Sequence, residues 1–281
     1  TSMVYLTVFL PSIINEFVFE TLQEEGRRLG IPQDKKRALL REYLQTRIIY
    51  SLYNAEESRK LSFIGGTSLR LLQGLDRFSE DLDFDNLGLP FSSVKNIFSD
   101  IASQLKREGL ELHYAMKKTD SSGIGQFRFP ELLFSLGISS HRDEKLTVKI
   151  DYTTPREKPQ TQFAILSRFG FVQNVLTNTM EVLLAQKIRA IFTRKDLQPR
   201  DFYDVAWFLA RNIQPDIAIL SSLKIKSEKE AFEKLGELFA KRVQPSLLRF
   251  KQRLQPFLIV PEHIAYLDLF PGLAEKATGK N

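Results

Sequence analysis

The stretch that decides the fold reads Phe63-Ile64-Gly65-Gly66-Thr67-Ser68-Leu69-Arg70-Leu71-Leu72 and, after a short gap, Arg77-Phe78-Ser79-Glu80-Asp81-Leu82-Asp83-Phe84-Asp85. This pattern predicts a short strand, a two-glycine turn, a short helix, a loop and a second strand. Because successive side chains on a strand point to opposite faces, Asp81 and Asp83 share one face and Leu82 takes the other. The sequence therefore predicts paired carboxylates on a strand that follows a glycine turn.

The paired carboxylates need a compensating charge. Two carboxylates about 4 Å apart repel by roughly 1 kcal/mol in water and by about 4 kcal/mol at the effective dielectric of a protein surface. A divalent cation removes this repulsion, and Mg²⁺ is usually held by one or two carboxylates together with substrate phosphates. Asp81 and Asp83 are therefore predicted to bind Mg²⁺.

The two glycines before them suit a phosphate. Gly65 and Gly66 let the backbone approach a ligand closely, because no Cβ stands in the way. Thr67 and Ser68 are residue types that cap helices, and the N-terminus of a helix favours an anion. A phosphate-binding turn followed by a metal-binding strand suits phosphoryl or nucleotidyl transfer.

The combined motif resembles the signature of the DNA polymerase β-type nucleotidyltransferase superfamily, a Gly-Gly turn followed by Asp-x-Asp. The longer string, Gly65 to Leu71 with Arg77 to Phe84, is similar to the AbiEii/AbiGii family, which supplies nucleotidyltransferase toxins of bacterial toxin–antitoxin systems. The resemblance implies an α/β (α+β) fold. A polymerase β-like nucleotidyltransferase core with a small mixed sheet would be flanked by N-terminal helices and a helical C-terminal part.

This resemblance, with the helical and strand periodicities, predicts three regions. Residues 1–58 would form N-terminal helices packed on the core, and residues 59–155 would form the nucleotidyltransferase core. Residues 156–281 would form a helical part that completes the nucleotide site. The stretch 153–174, which contains Pro155 and Pro159, is predicted to be a loop between the last two regions, and Leu132–Ile138 is predicted to be a strand.

A third carboxylate is predicted at Asp151. The segment Leu146–Tyr152 alternates, so that Thr147, Lys149 and Asp151 share its polar face. Polymerase β-like enzymes take a third carboxylate from a strand beside the Asp-x-Asp strand, and Asp151 is the candidate that the resemblance implies. There it would help to bind metal and accept the proton of the attacking hydroxyl. The alternative is an exposed aspartate at a strand end.

Lys187 and the segment Arg200-Asp201-x-x-Asp204 resemble later motifs of the family, a lysine followed by an Arg-Asp segment. The resemblance implies that Lys187 contacts the nucleotide phosphates, for which a lysine is an effective point charge. Asp204 or Asp201 would help to order the site. The alternatives are a solvated cation for Lys187 and a structural salt bridge from the aspartates to Arg200 or Arg189.

The resemblance thus implies a metal-dependent nucleotidyltransferase (EC 2.7.7 type) with a nucleoside triphosphate (NTP) as substrate. Two Mg²⁺ ions, with Mn²⁺ as the alternative, would be held by Asp81, Asp83 and Asp151. The nucleotide-binding residues would be Gly65, Gly66, Thr67, Arg77, Ser79 and Lys187, supported by Asp201 and Asp204. The role of Ser79 follows from the family's Ser-x-Asp pattern, which this chain keeps as Ser79-Glu80-Asp81.

The expected function is that of a toxin that transfers nucleotides from NTP to an RNA acceptor, the 3′ end of tRNA, with a cognate antitoxin as partner. A protein acceptor is an alternative. A second alternative is a regulatory module that binds GTP or another NTP without transfer, which would not need Asp151. A third is an antitoxin-binding or RNA-binding protein on a decayed scaffold, and the two acidic strands count against it.

The composition narrows the class of protein. Forty basic and 34 acidic residues give a net charge of +6, which suits a nucleic-acid partner or ordinary solubility. The run Lys241–Arg253 contains no acidic residue and is the predicted nucleic-acid patch.

The absence of cysteine excludes disulfides and thiolate metal sites. No apolar run reaches the ~20 residues that span a bilayer, so a cytoplasmic protein without membrane contact is expected.

Overall fold

The computed structural model describes residue 14, residues 16–120 and residues 122–279. Of the predicted N-terminal region 1–58, residues 1–13 and 15 lie outside the described residues. The chain divides into two compact units. The first contains the chain up to Gly74 together with residues 78–155 and 163–177. The second contains Leu75–Arg77, Arg156–Gln162 and the chain from Asn178 onward.

Residues 16–178 contain both helices and strands. The helices are α1 (Glu16–Arg28), α2 (Lys36–Leu52), α3 (Gly65–Gln73), α4 (Phe91–Arg107) and the single turn α5 (Leu132–Ser135). The strands are β1 (Leu61–Ile64), β2 (Asp81–Asn86), β3 (His113–Lys118), β4 (Ser122–Phe129), β5 (Leu146–Thr153), β6 (Thr161–Arg168) and β7 (Phe171–Asn178). Within the described residues they form one sheet in the order β3-β4-β5-β2-β1-β7-β6. The pairs β2–β5 and β1–β7 are parallel, while β1–β2, β3–β4 and β4–β5 are antiparallel, so the predicted mixed sheet is confirmed.

Two local predictions are wrong. The stretch 153–174 is largely strand, because β6 and β7 lie there and are joined by Phe169 and Gly170, both with positive φ. Pro155 and Pro159 precede β6 and do not interrupt it. Residues 132–138 form the helical turn α5 and the turn after it instead of a strand.

One face of the sheet is covered by α4. Rings of Phe63, Phe84, Phe98 and Phe127 follow one another with centroid separations of 5.4, 5.9 and 6.4 Å. Phe98 belongs to α4 and the other three rings belong to β1, β2 and β4. Because Phe84 and Asp83 are consecutive strand residues, they point to opposite faces. The helix therefore buries the apolar face and leaves the aspartate face of β2 uncovered by it.

A buried ionic network joins α2, α3 and β6. Glu42, which is 2% exposed, accepts hydrogen bonds from Arg70 Nε at 3.0 Å and from Arg168 Nη1 at 3.3 Å. Arg168 also donates to the backbone carbonyl of Arg70 at 3.2 Å. Burial lowers the pKa of Arg168, and the charge of Glu42 acts in the opposite direction. One carboxylate thus serves two guanidinium groups around the helix that begins at the glycines.

The second unit is mainly helical. It contains α6 (Met180–Thr193), α7 (Pro199–Leu209), α8 (Glu228–Leu238), α9 (Leu247–Leu254) and α10 (Tyr266–Ala277), connected by short 3₁₀ and π turns. Phe202 of α7 packs against Phe239, Phe250 and Phe270 with centroid separations of 5.6, 6.2 and 5.4 Å. Pro199 occupies the first turn of α7, where its missing N–H costs no helical hydrogen bond. Among the helices that the structure describes, none combines the length and apolar character needed to cross a bilayer.

We expect Glu42→Gln to lower the free energy of unfolding by roughly 3–5 kcal/mol, because it removes the buried charge that binds the guanidinium groups of Arg70 and Arg168. Urea unfolding followed by circular dichroism measures this loss. The matched control is Glu24→Gln, since Glu24 pairs with Arg27 on the exposed surface of α1 and should change stability by about 0.5 kcal/mol or less. Equal effects of the two substitutions would contradict the role of the network.

Candidate active site

The glycine turn is shaped by its contact with an aspartate. α3 begins at Gly65, whose φ of 77° lies in the left-handed region that side-chain-bearing residues avoid. A Cβ at this position would approach both the Cβ and the Cγ of Asp83 to 2.9 Å. Glycine is therefore required at position 65 for its backbone conformation and for the space that the Asp83 side chain takes.

The hydroxyl groups after the glycines hold the strands together. Thr67 Oγ1 donates to the backbone carbonyl of Asp81 at 2.5 Å, and Ser68 Oγ shares a hydrogen bond with Thr177 Oγ1 at 3.0 Å. The residue that caps α3 is Ile64, and no side chain caps the helix. The predicted capping roles of Thr67 and Ser68 are therefore wrong, because both hydroxyls are buried and already bonded to β2 or β7.

Two neighbouring strands present the acidic side chains. β2 and β5 run parallel, with Asp83 opposite Asp151 and Asp81 opposite Lys149. Residues paired in this way point to the same face, and adjacent strands lie about 4.8 Å apart. The structure therefore brings Asp81, Asp83 and Asp151 onto one face, and all three are partly exposed.

The charges on this face are not fully compensated. Burial raises the pKa of Asp151, the negative charge of Asp81 raises it further, and Lys149 acts in the opposite direction. Carboxylate oxygens at this spacing are ligands that suit Mg²⁺, and a cation would relieve the repulsion that this shift reports. Among the described residues, no group of three or more His, Cys, Asp or Glu side chains is already arranged around one metal position. The residues fit the ion by chemistry and backbone spacing, and their side chains would have to turn toward it.

The loop before β2 is anchored by a residue that sequence reasoning missed. Gln45 of α2, which is buried, donates to the backbone carbonyls of Ser79 at 3.2 Å and Glu80 at 2.9 Å. Arg41 of the same helix donates to Glu80 Oε1 at 3.0 Å. Ser79 is thus held by its backbone directly before the acidic strand. The only sequence signal for Gln45 is a polar residue next to the apolar stripe of α2.

The remaining predicted residues form a separate ionic cluster within the second unit. Arg77 donates to both carboxylate oxygens of Asp204, from Nε at 2.6 Å and from Nη2 at 2.5 Å. Lys187 Nζ lies 2.8 Å from Asp204 Oδ2 and 3.5 Å from Asp201 Oδ1, and Arg194 pairs with Asp201. Ion pairs therefore connect four predicted site residues, which are Arg77, Lys187, Asp201 and Asp204.

This cluster gives the predicted residues partners within the second unit. Arg77 is 2% exposed and bonded to the buried carboxylate of Asp204, and its contact with nucleotide phosphates stays a prediction. Burial alone would raise the pKa of Asp204, but Arg77 and Lys187 lie close enough to hold it below its usual value. The two aspartates form salt bridges, which is the alternative to a role in ordering the site, with Arg77, Lys187 and Arg194 as partners.

The family model of the nucleotidyl transferase AbiEii toxin, type IV toxin–antitoxin system, matches residues 47–269. The chain belongs to the AbiEii nucleotidyltransferase toxin family. The matched region contains every residue of the acidic face and of the ionic cluster. Membership makes the chain a nucleotidyltransferase toxin of a type IV toxin–antitoxin system, and such a system implies an antitoxin partner.

Solved structures share the fold of this AbiEii protein. JHP933 from Helicobacter pylori is similar with a TM-score of 0.55 and 20% identity, over 86% of this chain and 94% of that chain. MenT4, a nucleotidyltransferase toxin (Rv2826c) from Mycobacterium tuberculosis H37Rv, is similar with a TM-score of 0.53 and 14% identity, over 93% of this chain and 98% of that chain. No curated protein is similar enough in sequence to count as a match.

We expect Asp204→Asn to lower the free energy of unfolding by roughly 3–5 kcal/mol at neutral pH, because it removes the buried carboxylate that Arg77 binds through two hydrogen bonds. Trp207, the one tryptophan of the chain, lies in α7 beside this cluster, and its fluorescence in urea reports the change. The stabilisation is present above the unfolded pKa of about 3.9 and disappears as the pH falls through the lower folded pKa. Asp196→Asn, at an exposed position between α6 and α7, should change stability by about 0.5 kcal/mol or less.

We expect the opposite sign for Asp151→Asn. The carboxylate is half-buried and repelled by Asp81, so its removal should raise the free energy of unfolding at neutral pH by about 0.5–2 kcal/mol. Thermal unfolding in the presence of a chelator measures this gain without a contribution from bound cations. A loss of more than about 1 kcal/mol would mean that Asp151 stabilises the fold, which would contradict its interpretation as a residue kept for function.

Proposed function

We propose that this AbiEii-family chain transfers a nucleotide from NTP to the 3′ end of an RNA, with tRNA as the acceptor. The observation that carries the proposal is the in-register pair Asp83–Asp151 on neighbouring parallel strands, with Asp81 on the same face. The backbone of Gly65 packs against Asp83, so a ligand bound at the glycine turn would lie beside these carboxylates. This combination suits the joining of a phosphate group to an oxygen nucleophile.

The acidic face would supply both charge and a proton acceptor. Asp81, Asp83 and Asp151 would hold Mg²⁺, with Mn²⁺ as an alternative, and the bound ion would offset the negative charge of the triphosphate and polarise it. The acceptor hydroxyl oxygen bonds to the α-phosphorus, the bond from that phosphorus to pyrophosphate breaks, and pyrophosphate leaves. The proton of the hydroxyl passes to a carboxylate oxygen of Asp151, the acceptor that the family resemblance implies.

Other residues would hold the nucleotide. The backbone at Gly65 and Gly66 and the anchored Ser79 are the groups proposed for its phosphates, in agreement with the family motif. Lys187 is proposed as a further phosphate contact on the family resemblance alone. Its ammonium group would have to exchange an aspartate partner for a phosphate oxygen.

A second candidate function is an NTP-binding module that performs no transfer. Such a module has no need for Asp151, yet this residue keeps a half-buried carboxylate at an electrostatic cost beside Asp81. A charge kept at this cost beside the predicted nucleotide site favours catalysis, in which the third carboxylate can accept the proton of the attacking hydroxyl. Transfer to a protein acceptor uses the same chemistry and is distinguished by the product.

The experiment incubates the protein with Mg²⁺, tRNA and each of the four α-labelled NTPs in turn. We expect label from one NTP to appear on the 3′ end of tRNA, and Asp81→Asn and Asp151→Asn each to reduce the rate at least about a hundredfold. Lys187→Met should also lose transfer, and circular dichroism of each variant establishes that it is folded. Asp100→Asn on the exposed surface of α4 should retain the wild-type rate.

Each result decides between the candidates. Label on a protein instead of RNA would assign the acceptor to a protein and overturn the RNA proposal. Tight NTP binding by calorimetry that survives Asp151→Asn, with no product from the wild type, would favour the module. No incorporation into RNA or protein from any NTP would overturn nucleotidyl transfer.

A further inference from the structure

The aspartate face of the sheet continues as an open surface over three further strands. In β3, the residues His113, Ala115 and Lys117 are exposed, and the alternate residues Tyr114 and Met116 are less exposed. In β4, Ile124 and Arg128 are exposed, whereas the intervening Gly125 and Phe127 are buried. Phe127 packs on Phe98 of α4, so α4 covers the opposite face and leaves this one open.

Strand register places basic residues in line with the acidic site. One row across the sheet runs Lys117, Ile124, Asp151, Asp83, and the next runs Ala115, Gln126, Lys149, Asp81. A third row contains His113, Arg128 and Thr147. The surface therefore changes from acidic at β2 and the end of β5 to basic at β3 and β4. We call the residues His113, Lys117, Gln126, Arg128 and Lys149 the open basic face.

The cations of the open basic face are not held in ion pairs, although Lys149 lies close enough to Asp151 to act on its pKa. Within the described part of the chain, Lys117, Arg128 and Lys149 form no ion pair or side-chain hydrogen bond, and all three are exposed. Long cationic side chains that are exposed and unpaired on a flat polar sheet are available to phosphate groups. Exposed Ile124, in register with Asp151, adds an apolar contact for a base or ribose next to the acidic site.

The cations of the predicted patch Lys241–Arg253 are less available to phosphate groups than those of the open basic face. Lys251 Nζ pairs with Asp268 at 2.6 Å, and Arg253 lies over the ring of Phe250 and donates to Gln198. These two cations are therefore engaged within the second unit. The open basic face also has the advantage of position, since two of its three rows end at the aspartates of the acidic site, Asp83 and Asp81.

The dimensions suit a short single strand. Lys117 lies two strand spacings from Asp151, which span roughly 10 Å. Arg128 lies on β4, the strand next to β5, and is four residues from Ile124, roughly 13 Å along that strand. A single strand whose 3′ hydroxyl lies at Asp151 would thus place its preceding phosphates within reach of these two cations.

We infer that the open basic face binds the phosphate backbone of the RNA acceptor and directs its 3′ end toward Asp151. The inference rests on the proposed function for the identity of the acceptor, and it adds the surface that recognises it. Lys117 and Arg128 are binding residues in this account, and they take no part in the chemistry. Recognition through phosphates makes the face insensitive to base sequence near the 3′ end.

The test compares three charge-reversed variants, each with one lysine and one arginine replaced by glutamate. Lys117→Glu/Arg128→Glu changes the open basic face, Lys95→Glu/Arg107→Glu changes exposed residues of α4 on the opposite side of the sheet, and Lys241→Glu/Arg249→Glu changes the rival patch. Fluorescence anisotropy with dye-labelled tRNA, without NTP, gives the dissociation constant at several salt concentrations. Circular dichroism establishes that each variant is folded, and Lys117→Gln/Arg128→Gln repeats the test without added negative charge.

We expect the open-face variant to bind tRNA at least about tenfold more weakly and to lose about 1.4–1.8 from the slope of log affinity against log salt, the value for two phosphate contacts. The α4 variant should bind like the wild type. In the transfer assay the open-face variant should show a raised KM for tRNA and an unchanged KM for NTP. A raised KM for tRNA with an unchanged KM for NTP distinguishes a loss of acceptor binding from damage to the nucleotide site.

Several results would overturn the inference. The inference fails if the wild type does not bind tRNA, or if the open-face and α4 variants lose equal affinity for tRNA. It also fails if only the Lys241/Arg249 variant loses affinity for tRNA. If the wild type transfers nucleotide to tRNA while the open-face variant binds tRNA normally, the inference fails and the proposed function stands. If tRNA binding depends on Lys117 and Arg128 but no transfer occurs, the binding surface stands and the proposed function fails. If neither the wild type nor the variant binds tRNA and the label appears on a protein, both the inference and the proposed function are overturned.

Discussion

The repulsion between carboxylates on β2 and β5 is the constraint on which the rest of the first unit depends. The ladder between these parallel strands fixes Asp83 opposite Asp151, so the side chains cannot separate without loss of backbone hydrogen bonds. Gly65 must have no side chain because Asp83 occupies that space. Gln45 and the Glu42 network hold the neighbouring loop and helix in place. The surrounding structure therefore stabilises an arrangement that its own charges oppose, which is expected of a functional site.

Much of the acidic face could be predicted because its signals are local. The two-residue alternation of Asp81, Leu82 and Asp83 determines a shared face, and the same alternation in β5 selects Asp151. The partner of Arg77 could not be found in this way, because Asp204 is 127 residues away in sequence. An arginine binds a phosphate and a carboxylate with the same bidentate geometry, so the motif alone does not distinguish the two. In the structure Arg77 is buried and binds both carboxylate oxygens of Asp204.

The errors in the fold have a similar origin. Pro155 and Pro159 favoured a loop over 153–174, yet both precede β6, and a proline before a strand removes no ladder hydrogen bond. The turn at Phe169 and Gly170 has a positive φ at both residues, which joins two strands tightly, but only the glycine signals it in the sequence. Thr67 and Ser68 have the composition of helix caps, and tertiary contacts with β2 and β7 use their hydroxyls instead. For these two residues, a long-range contact outweighed a local preference.

Burial and pairing divide the cations of this chain into two groups with different consequences. Arg70, Arg77 and Lys187 are largely buried and bonded to carboxylates, so they compensate internal charge and add little to the field outside. Lys117 and Arg128 are exposed without such partners on the same face of the sheet, and the row of Lys117 leads to Asp151 and Asp83. A net charge of +6 describes neither group, because attraction of a polyanion depends on where uncompensated charge is exposed. The sheet register, which brings an acidic end and a basic end onto one surface, therefore says more about the acceptor than the composition does.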